Sequence, residues 1–305
     1  MLKSVILASV AVASLTAFAT GASAQSISPT PTLSVGANTN EAIILQQGSN
    51  SANVEQGGLN NKAGQLPNSI DLTTSGSNLT GANSLADGVY SVLQNGGGNY
   101  LDIKQDGSNN SVITKKSNVS NVPNAVAFDA GSFQNGYNNN VSSNQNGSNG
   151  KAQFQQVGNG NSATIFAQDG SKDTYAGIFQ FGGNNNSAAI NQYNGASNTY
   201  AIIAQEGGSN YGAINQSNSN EFALISQIGG NNNATIGQSG DTNFASVLQV
   251  GYNNNAVTNQ SGTGVGAFTY QNGNGNYASV SQTNGSANAG AIQIGNGNSM
   301  TIRQR

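Results

Sequence analysis

From Gln205 onward a glutamine returns at every eleventh position of the 305-residue chain: 216, 227, 238, 249, 260, 271, 282, 293 and 304. A stride held that strictly restricts the fold to an array of stacked, near-identical units. The same step joins Gln134, Gln145 and Gln156. It lengthens to 12 through Gln168, Gln180 and Gln192, and to 13 before Gln205. Upstream, Gln94 and Gln105 are 11 apart with Lys116 in the next slot, and a weaker copy surrounds Gln46 and Gln56.

The structural unit is two steps long, or 22 residues, because two unlike half-repeats alternate. After Gln227, Gln249, Gln271 and Gln293, the second residue on is Gly229, Gly251, Gly273 or Gly295, and the fifth is Asn232, Asn254, Asn276 or Asn298. After Gln216, Gln238, Gln260 and Gln282 the next residue is Ser or Thr, while the fifth varies through Glu221, Asn243, Val265 and Ala287.

The end of each half-repeat alternates. Ala234, Ile236 and Gln238 share one parity, as do Ala245, Val247 and Gln249, and Ala278, Val280 and Gln282. Period-2 alternation predicts a strand with one buried face. The intervening Gly/Asn stretches, such as IGGNN and VGYNN, tolerate positive φ and predict turns. The expected fold is all-β, a two-sheet parallel β-solenoid of strand–turn–strand repeats of about 22 residues, with the cross-β stacking of amyloid. Nine or ten coils would make a stack about 45 Å long.

In such a stack Gln227 lies over Gln249, then Gln271 and Gln293, so each amide donates to one neighbour and accepts from the other. A buried amide left unpaired costs about 1–3 kcal/mol, which explains why the same residue recurs at the same rung. Stacked identical charges would repel, and only 7% of the chain is charged. Between Gln216 and Ile302 the charged residues are Glu221 and Asp241, both at predicted turns. The C-terminal MTIRQR places Gln304 in register and offers only Arg303 and Arg305 to block an edge, so the expectation is an open end that templates a further copy and yields a filament.

The half-repeat Q-x-G-x-x-N-x-A-x-x-x-Q, as in Gln249, Gly251, Asn254, Ala256 and Gln260, resembles the curlin repeat. Curlins are the subunits of curli, the amyloid fibres of bacterial surfaces and biofilms. The resemblance covers Gln134 to Gln304 and Gln94 to Lys116, and is poor over 66–93 and 117–133. The latter contains Pro123, which cannot donate to a ladder, and reads as an excursion loop. The resemblance implies a secreted structural subunit of a cell-surface fimbrium serving adhesion and biofilm matrix. The regular, nearly uncharged C-terminal half favours the major fibre-forming role, with a minor nucleator subunit as the alternative. It also implies partners: further copies of itself, a nucleator or major counterpart, an outer-membrane secretion pore, an accessory factor and periplasmic chaperones.

The N-terminus supports export independently. Lys3 precedes an apolar run from Val5 to about Ala19, and Ala22-Ser23-Ala24 follows, which is the layout of a signal peptide cleaved between Ala24 and Gln25. The expected organisation is a signal peptide over 1–24, a flexible segment over 25–42 with a possible targeting role, irregular repeats over 43–133 and the regular solenoid over 134–305. No later stretch reaches the length of a membrane span. A net charge of −3 gives little pull toward nucleic acid.

Other functions of β-solenoids fit the residues poorly. Catalysis needs clustered acids, bases or a nucleophile, and the chain has no His or Cys. Asp102, Lys104 and Asp106 are its densest charged group and read as a solvated face, with Lys104 and Lys115 on opposing strands. Calcium-loaded repeats need an aspartate in each turn, where this chain has asparagine. Ice-binding solenoids need one outward row of small polar residues, but Thr235, Ser246, Val257, Phe268 and Ser279 form none. No cofactor or metal is expected. A capped, monomeric surface adhesin is the nearest competitor. Asp169, Lys172, Asp173, Lys151 and Lys116 are candidate gatekeepers that slow assembly before export.

Overall fold

A computed structural model describes residues 90–105, 132–168, 170–283 and 287–305, with short strands at 33–34, 41–42, 44–47, 51–56, 62–63, 69–70, 111–112 and 115–116. Ala24, Gln25, Asp106, Pro123 and Asp169 lie outside these residues. All regular structure among the described residues is β; apart from the antiparallel pair 33–34/69–70 and the antiparallel strand 115–116, it lies in two stacked parallel sheets forming a solenoid of about eight turns with roughly 22-residue spacing.

Each turn of the solenoid contributes one strand to each sheet. Sheet 1 runs from Tyr90–Gly97 and Phe133–Tyr137 through Phe222–Gly230, Phe244–Tyr252 and Gly266–Asn274 to Asn288–Ile294. Sheet 2 runs from Tyr100–Gln105 and Asn140–Gln145 through Asn233–Gln238, Asn255–Gln260 and Tyr277–Gln282 to Ser299–Gln304. Register is exact where the stride is regular: Gln227, Gln249, Gln271 and Gln293 pair in succession, as do Gln238, Gln260, Gln282 and Gln304.

Alternation sends three columns per sheet inward. In sheet 1 one column is alanine throughout, from Ala152, Ala176 and Ala201 to Ala289. The next holds Phe154, Ile178, Ile203, Ile225 and Val247, all fully buried. Sheet 2 matches it with Ile165, Ile190, Ile214 and Ile236. Alanine beside isoleucine lets the sheets approach closely while still filling the gap. The apolar core divides in two where Thr258 and Thr269 replace these aliphatic residues.

Two positions expected from spacing differ. Gln168 does not occupy a ladder slot: Ala167 pairs with Gln145 on one side and Gln192 on the other, leaving Gln168 exposed. Lys116 is not the rung after Gln105 either. Gln105 pairs with Gln145, and Lys115–Lys116 runs antiparallel to Tyr90–Ser91 in sheet 1, while Lys104 lies in sheet 2. Both errors have one cause: spacing along the chain measures register only while turns keep a constant length. Gln46 and Gln56 fall in register with Gln94 and Gln105.

Candidate assembly site: amide ladders and open edges

The inner glutamines form continuous side-chain chains. In sheet 1, Nε2 of Gln134 donates to Oε1 of Gln156 at 2.9 Å, and the pattern continues through Gln180, Gln205, Gln227, Gln249 and Gln271 to Gln293. In sheet 2 it runs from Gln192 through Gln216, Gln238, Gln260 and Gln282 to Gln304. Every donor points toward the C-terminal end. The second Nε2 hydrogen is used as well, since Gln249 donates to the Asn233 carbonyl at 2.9 Å and Gln271 to that of Asn255 at 3.0 Å. Each glutamine therefore ties its own strand to the next coil and to the preceding strand of the other sheet. That saturation permits a fully buried amide.

The turn asparagines do different work. The backbone N–H of Asn254 donates to Oδ1 of Asn232 at 3.1 Å, and Nδ2 of Asn254 donates to the carbonyl of Gly273 at 2.8 Å. The backbone contact repeats from Asn99 and Asn139 through Asn161, Asn186 and Asn210 to Asn298. The column thus extends well upstream of Asn232, which variable turn lengths conceal in the sequence. The glycines admit these contacts. Gly251 has φ of 116°, and a Cβ there would collide with the Gly273 carbonyl that receives Asn254. Gly229 and Gly273 repeat the geometry, and Gly295 shares the positive φ.

The opposite turn lacks such a ladder. Its inner column reads Thr199, Glu221, Asn243 and Val265, each nearly inaccessible to solvent. Glu221 therefore ends a turn, as its position in the sequence predicts, but faces inward. Neither carboxyl oxygen closes a hydrogen bond, although Asn243 and the amides of Ser217 and Gly240 approach it. Burial pushes its pKa up to about 8.

Among the described residues the ladders run as far as Gln293 in sheet 1 and Gln304 in sheet 2. Asn288–Ile294 and Ser299–Gln304 each pair on one side only among the described residues. Nε2 of Gln293 donates to Tyr277 O at 2.8 Å and that of Gln304 to Asn288 O at 3.1 Å, leaving one N–H on each amide without a partner. Asn298 takes the contacts of its predecessors on the inner side but meets no glycine carbonyl beyond.

The outward columns complete the description. Tyr175, Tyr200, Phe222 and Phe244 stack along sheet 1, with centroids 4.3, 5.5 and 5.2 Å apart. The Tyr175 hydroxyl donates to Gln153 at 2.9 Å, and burial raises its pKa. Ser246 is 9% exposed because it lies between Leu224 and Phe268. Among the gatekeeper candidates Lys151, Lys172 and Asp173 are exposed, and Asp173 accepts from Asn149 at 2.8 Å. No helix among the described residues is long and apolar enough to cross a membrane.

Fold and amide columns together define a ladder-stabilised β-solenoid. The family described as curlin associated repeat matches residues 218–247, a little more than one coil of this stack, so that stretch is similar to a curlin repeat. No curated protein matches the chain.

Proposed function

We propose that this chain is the major structural subunit of an extracellular, curli-type fibre, growing by stacking of one copy's coils on another's. The observation that carries this reading is the direction of the glutamine ladder. All its donors point one way, from Gln134 to Gln293 in sheet 1 and from Gln192 to Gln304 in sheet 2, so a coil of another copy stacked in the same sense continues both columns. Such stacking extends both backbone ladders in the register that successive coils already keep, and repeated head-to-tail addition gives a filament. The buried side chains are mostly amide and aliphatic, so the reading assigns the protein a structural rather than a catalytic task. Export through a signal peptide cleaved after Ala24, an outer-membrane pore, periplasmic chaperones and a nucleator belong to the same proposal by family resemblance.

The test is to hold purified chain beginning at Gln25 in buffer, without partners. Filaments with a meridional reflection near 4.8 Å are expected, and fragments of them should abolish the lag of fresh protein. A monodisperse particle that persists at high concentration is the outcome for a capped monomeric adhesin and rejects the fibre. Filaments that form only when a second curlin is supplied as seed, or only from a minor additive amount of this chain, separate the elongating from the nucleating role.

A further inference from the structure

The two outer faces of the solenoid differ in chemistry. From Tyr200 to Ile294, sheet 1 turns outward one column of Tyr200, Phe222, Phe244, Gly266 and Asn288, another of Ile202, Leu224, Ser246, Phe268 and Gly290, and two more that include Leu248, Ile228, Val250 and Ile292. Phe244, Phe268, Ile228, Ile292 and Ile294 are all at least 41% exposed. The strands of this face carry one charge, Glu206. Sheet 2 turns outward Asn233, Asn255, Thr235, Ser279, Asn259 and Ser281, and its exposed large residues are tyrosines.

We propose that the outer face of sheet 1 is a lateral interface that joins two copies of this solenoid back to back, pairing the filaments. This rests on the fibre reading above. Five strands about 4.8 Å apart, each with about seven residues rising 3.3 Å, give a face of about 550 Å². A stable interface needs about 800 Å² per partner, so one subunit falls short and two stacked subunits exceed the requirement. Pairing therefore follows polymerisation, and isolated subunits do not dimerise through this face. The partner is another sheet 1 rather than a sheet 2, because the amides and hydroxyls of sheet 2 would lose water without gaining donors or acceptors.

A twofold axis along the stack preserves the common direction of the glutamine ladders in both filaments. It also reverses the strands across the interface, setting the Tyr200–Phe222–Phe244 column opposite Ile228 and Val250 of the partner copy. Glu206 then lies at the rim and stays wet. Further upstream on this face Gln155 and Phe179 are already buried, so the available area begins near Tyr200.

The chain contains no cysteine, so a single introduced thiol is a clean probe. Ser226→Cys places a nitroxide label on sheet 1, and Thr235→Cys places one on sheet 2. Along one filament, successive labels are separated by at least eight coils, or about 40 Å. Any distance under half that value must cross between filaments. Fibres labelled at Ser226→Cys are expected to give such a short distance, and fibres labelled at Thr235→Cys only the long one. Equal distances at both sites, or the short one at Thr235→Cys, overturn the interface. An immobilised label at Ser226→Cys with no short distance means the chain's own upstream segment covers the face, which also overturns it. In a second experiment, combined Phe222→Ser, Phe244→Ser and Phe268→Ser should leave filaments that grow singly, at half the wild-type width. Unchanged paired filaments reject the proposal. If neither wild type nor variants form filaments, the fibre reading fails first and the interface with it.

Discussion

Gln249 donates one amide hydrogen to Oε1 of Gln271 at 2.8 Å and the other to the Asn233 carbonyl at 2.9 Å, so one side chain joins two coils and both sheets. Its oxygen meanwhile accepts from Gln227 at 2.9 Å. Gln249→Ala removes all three contacts and leaves buried partners on each side. The expected cost is about 2–4 kcal/mol, since each orphaned buried group costs about 1–3 kcal/mol and neighbours relax in part. Fibres of the variant should dissolve at lower guanidinium concentration and form more slowly, as should those of Asn254→Ala. Ser246→Ala, which breaks no ladder, should change both measurements little. Equal effects from all three substitutions would remove the ladders as the source of stability.

Glycine provides an internal comparison. Gly251→Ala strains a residue at φ of 116° and drives a methyl into the Gly273 carbonyl, breaking the contact from Asn254. Gly290 has no atom within 4 Å of the place its Cβ would take. Gly290→Ala should therefore be neutral or stabilise by about 0.5–1 kcal/mol, as expected for glycine in a strand interior. Gly251→Ala should destabilise by more than 2 kcal/mol, or about one lost hydrogen bond plus backbone strain. The two guanidinium midpoints, measured on fibres of equal age, check the opposite signs.

The core break at Thr258 and Thr269 offers a gain. Both side chains are almost fully buried, and neither hydroxyl has a partner among the described residues. Thr258 lies between Ile236 and Val280, and Thr269 between Val247 and Ala291. Valine keeps the shape and removes the unpaired oxygen. Thr258→Val and Thr269→Val should each stabilise by about 1 kcal/mol, and the pair should merge the two apolar clusters. A lower guanidinium midpoint for either variant would mean that its hydroxyl is hydrogen-bonded after all.

Much of this architecture can be read from the chain because a solenoid repeats one decision many times. The stride placed Gln227 over Gln249, and parity placed Ala234 and Ile236 inside; neither step needed information from distant sequence. Legibility fails where the turn length changes. Gln168 had the right residue type and nearly the right spacing, yet Ala167 took the slot because the strand before it keeps step with Val141 and Ser143. Lys116 failed because an insertion separates Gln105 from its partner Gln145, 40 residues on. Of the apolar face of sheet 1 only outward aromatics such as Phe268 and Tyr270 were legible, for another reason. Its residues lie 22 or more apart in sequence and alternate with buried ones, so no local window contains the patch. Writing the outward residues column by column reveals it. Glu221 gave a weaker signal: its column also holds Val265 and Ala287, and a turn position shared with valine is a buried one.

That buried carboxyl makes stability depend on pH. Burial pushes the pKa of Glu221 from 4.5 to about 8; the neighbouring Asp241 adds to the rise, while Asn243 and two backbone amides oppose it. In the unfolded chain the group ionises above 4.5, whereas in the solenoid it stays neutral until about 8. Folding takes up a proton between these values, so its stabilising effect is complete below the lower pKa and is lost as pH rises through the higher one. Charging Glu221 in place also brings it against Asp241, so the coil around residues 217–243 should open first. Fibres should therefore resist guanidinium best near pH 4.5 and worst at about pH 9, with hydrogen exchange accelerating first in that coil. Glu221→Gln preserves the shape and cannot ionise, so its fibres should resist equally at both pH values. If the Gln variant retained the full pH dependence of the wild type, the sensitivity would have to come from another group, and the inward placement of Glu221 would carry no energetic weight.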